Sequence, residues 1–237
     1  MKATIIILLI TNLSLNTTYA QEYVFRAKVD LNSDNQLETI KLENTDKPYE
    51  YKLTINDKEV TGSFDAEYSD GFKVIDIDVD DKYKEIAVHT QGPSDDISNI
   101  VYWYNGKEVL LIEQLHGTVI INGNGIIYLD NWEGFWTSRD KYVLEKITQD
   151  LHLTQQFAYY VGVKAKVKKG FTIYKETDLI NKVASLSEGS EIELLLCDKT
   201  KREFFDRRFL IKSASGLTGW SDLKTIQENT EGLTWAD

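Results

Sequence analysis

The feature that most constrains this chain is a succession of short, β-branched and aromatic runs in its first half. "YVFRAKV", "YKLTI", "FKVIDIDV", "EIAVHT", "IVYWY", "EVLLI", "TVIIN" and "GIIYL" follow one another, each bounded by polar or glycine-containing turns. Runs of this length are strands, and closely spaced strands joined by turns predict antiparallel sheets. Asn105-Gly106 sits between two of them and marks a two-residue hairpin, because both residues tolerate positive φ. Asn56-Asp57 is a weaker version of the same signal. The only prolines, Pro48 and Pro93, fall in turn-like contexts. Arg139 to Phe157 is the one stretch where a short helix competes, against its own β-branched and aromatic residues.

The strands repeat. "DLNSDNQLETIKL" followed by "YKLTINDKEV" is echoed by "DIDVDDKYKEIAV" followed by "VYWYNGKEV". Glu38 and Glu85 correspond, as do Lys58-Glu59-Val60 and Lys107-Glu108-Val109. "NGNGIIYLDNWEGFWTSRDKYVLEK" makes a looser third unit. A repeat in the forties with several strands per unit is the length of a propeller blade, although three units fall short of the usual four to eight that close a propeller.

The first residues have a different character. Lys2, the apolar run Ile5–Ile10 and the small-residue end Thr18-Tyr19-Ala20 predict a secretory signal peptide over residues 1–20, with Gln21 as the new N-terminus. No cysteine stands near Ala20 to carry a lipid. Cys197 is the single cysteine, so no internal disulfide can form. That suits the bacterial periplasm or cell exterior better than an animal secretory route. No later run has the length of a membrane span. The formal charge of −11 argues against a general nucleic-acid binder. Ten acids crowd Asp65–Asp96, whereas bases outnumber acids from Lys164 to Lys212.

Two acidic loops are the candidate metal sites. Asp30, Asn32, Asp34, the Gln36 carbonyl and Glu38 place acceptors at positions 1, 3, 5, 7 and 9 of a tight loop. Calcium takes about six to eight oxygens of these kinds. The same residues also fit a plain polar turn. No helix pattern flanks them, which disfavours an EF-hand. Asp76, Asp78 and Asp80 form a second, weaker loop, where Lys84 stands at the place of Glu38 and Glu85 falls one residue later. Asp76 and Asp78 fit equally well as outward residues of a strand.

The Asp-x-Asn-x-Asp loop resembles those of the FG-GAP-type repeats in integrin-like propellers, over about twenty residues per unit. Asn35 stands where that pattern often has glycine. The resemblance implies blade-like units and a calcium-stabilised loop. From "VKAKVKKGFTIYKE" to "GLTGWSDL" the chain resembles bacterial SH3-like domains, with Gly216, Gly219 and Trp220 in the closing G-x-x-G-W pattern and Phe209 where an aromatic opens the preceding strand. That resemblance implies a small barrel that binds a cell-wall peptide or glycan, or an envelope protein, along a groove near Phe171, Tyr174 and Trp220. Trp220 fits either the groove or the core.

The expectation is an all-β chain in four parts. A signal peptide (1–20) precedes an antiparallel repeat domain of blade-like units (21–158). An SH3-like barrel (159–228) and a short tail (229–237) follow. The function expected is non-enzymatic binding or scaffolding in the envelope. The rivals are a cell-wall hydrolase targeted by the barrel and a secreted effector or inhibitor that acts by occlusion. His89, His116 and His152 show no ligand spacing, Cys197 follows an apolar strand, and no nucleophile or phosphate motif occurs. Trp132, Phe135 and Trp136 either stack on a ligand or pack the domain junction.

Overall fold

A computed structural model of the chain describes residues 22–64, 66–92, 96–199 and 203–235. The expected leader at 1–20 lies outside the described residues, as do Pro93, Ser94 and Asp95. The protein is all-β with antiparallel sheets, and among the described residues none of these sheets closes into a barrel.

Three four-stranded sheets follow one another along the chain, each a simple meander. The first holds β1 (Arg26–Val29), β2 (Glu38–Asn44), β3 (Glu50–Ile55) and β4 (Lys58–Ser63). The second holds β5 (Gly71–Ile75), β6 (Glu85–Gln91), β7 (Ile97–Tyr104) and β8 (Val109–His116). The third holds β9 (Thr118–Ile121), β10 (Ile126–Trp132), β11 (Thr137–Glu145) and β12 (Asp150–Leu153). The hairpin signals fall between the third and fourth strands of the first two sheets. Asn56 adopts φ 54° between β3 and β4, and Gly106 adopts φ 91° between β7 and β8. Asn105 secures the second turn by accepting the amides of Lys107 and Glu108 at 2.9 Å each. Arg139–Phe157 holds β11 and β12 rather than a helix. Its Tyr142, Val143 and Leu144 pair with Leu153, His152 and Leu151 across the hairpin, so the β preference of those side chains prevails.

A seven-stranded sheet completes the described chain. Its order is β15 (Lys182–Leu186), β14 (Phe171–Tyr174), β18 (Thr218–Asp222), β17 (Arg208–Ser213), β16 (Glu191–Asp198), β13 (Tyr159–Val167), β19 (Thr230–Glu231). One helix, α1 (Leu223–Asn229), follows β18. Asp222 caps it by accepting the Thr225 amide at 2.8 Å, which satisfies one of the amides a helix leaves unpaired at its start. The segment expected as a tail contributes β19, which pairs with β13, and Trp235, whose ring packs edge-on against Phe135 at 4.7 Å.

The sheets are joined by shared cores. Leu31 of the β1–β2 loop and Ile40, Leu53 and Ile55 of the first sheet pack with Phe72, Ile86 and Val88 of the second. Val101 and Leu115 of the second pack with Ile127, Leu129 and Leu144 of the third. Phe135 and Trp136, from the β10–β11 connection, are buried in the core of the seven-stranded sheet beside Phe209 and Cys197. Trp132 is separated from that pair and is 56% exposed. A buried ionic network reinforces the last junction. Glu133 pairs with Lys199 at 2.7 Å and Arg207 at 2.5 Å, and Ser138 donates to it at 2.8 Å. The cations hold its carboxyl below the usual range, although burial alone would raise it.

Candidate functional site

The first two sheets repeat one local device. In each, the loop between the first and second strands buries an apolar residue and then a glutamate. Glu38 opens β2 opposite Val29, and its Oε2 accepts the amide of buried Leu31 at 2.8 Å. Glu85 opens β6 opposite Ile75, and its Oε2 accepts the amide of buried Ile77 at 3.1 Å. The glutamates paired by the sequence repeat thus hold the same register position.

Their surroundings differ. In the first loop the carboxylates are used by the loop's own backbone. Asp30 accepts the amides of Asn32, Asp34 and Asn35 at 3.4, 3.2 and 2.9 Å. Asn32 accepts the Asp34 amide at 3.0 Å, and Asp34 accepts that of Gln36 at 2.8 Å. Ser33 and Asn35 adopt positive φ, of 57° and 65°, to make the ladder. A carboxylate offers about four lone-pair sites, so three amides leave Asp30 little spare capacity. Among the described residues no group of three or more acidic, histidine or cysteine side chains converges as a metal ligand set. The first loop as folded is a polar turn laced by its own side-chain-to-amide hydrogen bonds.

The second loop is less satisfied. Asp78 is buried and paired with Lys146 at 2.6 Å, and Asp81 accepts from Tyr83 and Gln149 at 2.6 and 3.2 Å. Asp80 is exposed. By contrast, Asp76 Oδ1 and Glu85 Oε1 are buried without a hydrogen-bond partner. Burial, with the charges of Asp81 and Asp76 added, pushes the Glu85 carboxyl up to about 7. Burial likewise raises Asp76. The two acidic loops also abut their neighbours. Ser33 donates to the Lys82 carbonyl at 2.8 Å, and the Val79 amide donates to the Gly123 carbonyl at 3.0 Å.

In the seven-stranded sheet, Phe171 faces the core, whereas Tyr174 and Trp220 are direct partners on β14 and β18 and face outward. The outward rung continues from Trp220 to Leu210 on β17, Leu196 on β16 and Tyr160 on β13. Cross-strand partners share a face, so these side chains form one row across five strands. Gly219 sits behind Trp220, where a Cβ would meet Ile173 and the Tyr174 carbonyl at 3.0 Å.

The other reactive side chains have structural placements. Cys197 is fully buried, and desolvation pushes its thiol up to about 12. His89 lies between Asp70, at 3.1 Å from Nδ1, and the ring of Tyr23, stacked at 4.0 Å. Burial lowers its pKa against the pull of Asp70.

Sequence reasoning missed two features. One is the outward row, because Leu196, Leu210 and Tyr160 read as ordinary strand residues. The other is a cleft beside β10 and β11, lined by Tyr128, Asp130, Arg139 and Tyr160 among others. No family model, curated protein or solved structure matches the chain. Among the described residues no helix is long and apolar enough to cross a membrane.

Proposed function

We propose that the protein is an exported, non-enzymatic binding or scaffold protein of the bacterial cell envelope. In this reading its three meanders are blade-like units akin to FG-GAP-type repeats. The C-terminal sheet is an SH3-like module that presents Tyr174 and Trp220 to a cell-wall or protein ligand. The observation that carries the reading is the outward row Tyr160–Leu196–Leu210–Trp220–Tyr174, an aromatic and aliphatic stripe on the solvent face of a sheet whose opposite face already has a core. Ringed by polar residues, such a stripe is the kind of surface that marks an interaction site. The leader-like residues 1–20 support export. The burial of Cys197 and the packing of His89 weigh against either as a catalytic group.

Calcium belongs to this reading as a ligand of the first loop, drawing on Asp30, Asn32, Asp34, the Gln36 carbonyl and Glu38. Asp34 accepts one amide, through Oδ1, which leaves its second carboxylate oxygen for the ion.

Sedimentation of the mature chain with purified cell-wall sacculi tests the main claim. Wild type should co-sediment, and Trp220→Ala and Tyr174→Ala should each lose most of the bound fraction while remaining folded. Wild type left in the supernatant, or two variants that bind like wild type, would overturn it.

A further inference from the structure

A cleft of about 650 Å³ lies between the outward face of the third sheet and the segment that leads into β13. Its floor is built from successive rungs of two strands. Tyr128 faces Lys141, Asp130 faces Arg139, and Trp132 faces Thr137 across β10 and β11. Alternation places Tyr128, Asp130 and Trp132 on one face, roughly 7 Å apart from one to the next. Arg139 donates to both carboxylate oxygens of Asp130, from Nε at 2.6 Å and Nη2 at 2.7 Å. Its guanidinium lies 5.8 Å from the centre of the Tyr128 ring. The wall is Gln156, whose Nε2 donates to the Arg139 carbonyl at 2.8 Å, and Tyr160, which is 72% exposed. Beneath them the Tyr159 hydroxyl donates to Asp140 Oδ1 at 2.7 Å and fixes the segment to the sheet.

Three properties narrow the ligand. Tyr128 and Tyr160 supply flat apolar faces with polar edges. The Arg139–Asp130 pair is held by two hydrogen bonds and is electrically neutral as a unit. It sets guanidinium donors beside carboxylate acceptors, the arrangement that neighbouring hydroxyl groups need because each both donates and accepts. Finally, β10 and β11 are interior strands, hydrogen-bonded on both sides in the order β12-β11-β10-β9. They offer no free backbone edge for an extended peptide to pair with. A molecule with C–H faces and hydroxyl edges meets all three conditions.

We propose that this cleft binds an oligosaccharide, with pyranose rings against Tyr128 and Tyr160 and ring hydroxyls on the Asp130–Arg139 pair. The proposal rests on the envelope-binding reading for its setting and assigns that reading a glycan site on the third sheet, which meets the outward row only at Tyr160. Calorimetric titration of the mature chain with chitotetraose and with cellotetraose tests it, with tetra-alanine as the peptide probe. At least one tetrasaccharide should bind. Tyr128→Leu, which keeps an apolar side chain but no ring face, and Asp130→Ala should each weaken that binding by about tenfold or more, with unfolding midpoints unchanged. Absence of binding to both sugars at millimolar concentration, unaltered affinity in both variants, or tetra-alanine binding that the variants abolish would each overturn the proposal. Failure with soluble sugars while wild type still sediments with sacculi through Trp220 removes the cleft alone. Sugar binding without Trp220-dependent sedimentation removes the row and keeps the cleft.

Discussion

Replacement of Glu85 by glutamine should stabilise the protein above neutral pH and lose that advantage in mild acid. Glu85 is 1% exposed, and its Oε1 has no partner. Its other oxygen takes the Ile77 amide at 3.1 Å, a bond that a glutamine carbonyl can also accept. Desolvation is the main cause of the raised pKa, with Asp81 and Asp76 adding to it. The folded value of about 7 lies above the ordinary 4.5, so folding favours the protonated carboxyl. The stability this lends is complete below the unfolded pKa and is lost as pH rises through the folded one. At about 1.4 kcal/mol per unit of separation, the full loss is on the order of 3 kcal/mol. Asp76 shares the site, so part of the gain in the variant passes through relief of its charge. Urea unfolding of wild type and Glu85→Gln at about pH 5 and about pH 8 reads the difference directly. The gap between the two proteins should widen in favour of the variant by roughly 2–3 kcal/mol at the higher pH. A gap that is the same at both pH values, or a variant less stable than wild type at about pH 8, would refute the argument from burial.

Two further outcomes follow from the loops and junctions. Glu133→Ala leaves Lys199 and Arg207 without their shared carboxylate in a mostly buried site. It should lower unfolding free energy by about 3–5 kcal/mol, read by urea denaturation, and a loss below 1 kcal/mol would show that the cations find other partners. If calcium enters the first loop, the ion should raise the melting temperature of wild type but not of an Asp30→Ala, Asp34→Ala double variant, since a ligand that binds only the native state stabilises it. Equal shifts in both proteins, or none in either, would leave the loop as the amide-stabilised turn it is when folded.

Much of the fold was legible because its signals are local. Short alternating runs give strands, Asn105-Gly106 gives a hairpin, and the repeat of Glu38 at Glu85 marks equivalent positions in two sheets. The helix at Leu223–Asn229 was not anticipated, since seven residues are too few for a periodic pattern. Its only sequence signal is the capping Asp222 before Leu223. The packing of Trp235 on Phe135 joins residues a hundred positions apart, and nothing near either residue announces it. The cleft was hidden for a similar reason. Tyr128, Asp130, Arg139 and Lys141 alternate with core residues, and in sequence that pattern describes any solvated sheet face. What makes it a cleft is the return of Gln156 and Tyr160 over it.

The acidic loops show where spacing stops being informative. By spacing, the first loop is the better ligand set, and the second is degraded by one extra residue: eight residues, 30–37, separate β1 from β2, and nine, 76–84, separate β5 from β6. In the folded chain the shorter loop turns its carboxylates onto its own amides. The longer loop keeps the buried glutamate and its amide bond to Ile77 but leaves Asp76 Oδ1 and Glu85 Oε1 without partners. Ile77 is packed there with Ile127 and Leu129 of the third sheet. A sequence states which oxygens are near one another along the chain. Whether they face amides, water or each other depends on the sheet stacked against the loop. The pH-dependent gain in Glu85→Gln is therefore a measure of how tightly the folded loop between β5 and β6 excludes water from that carboxyl.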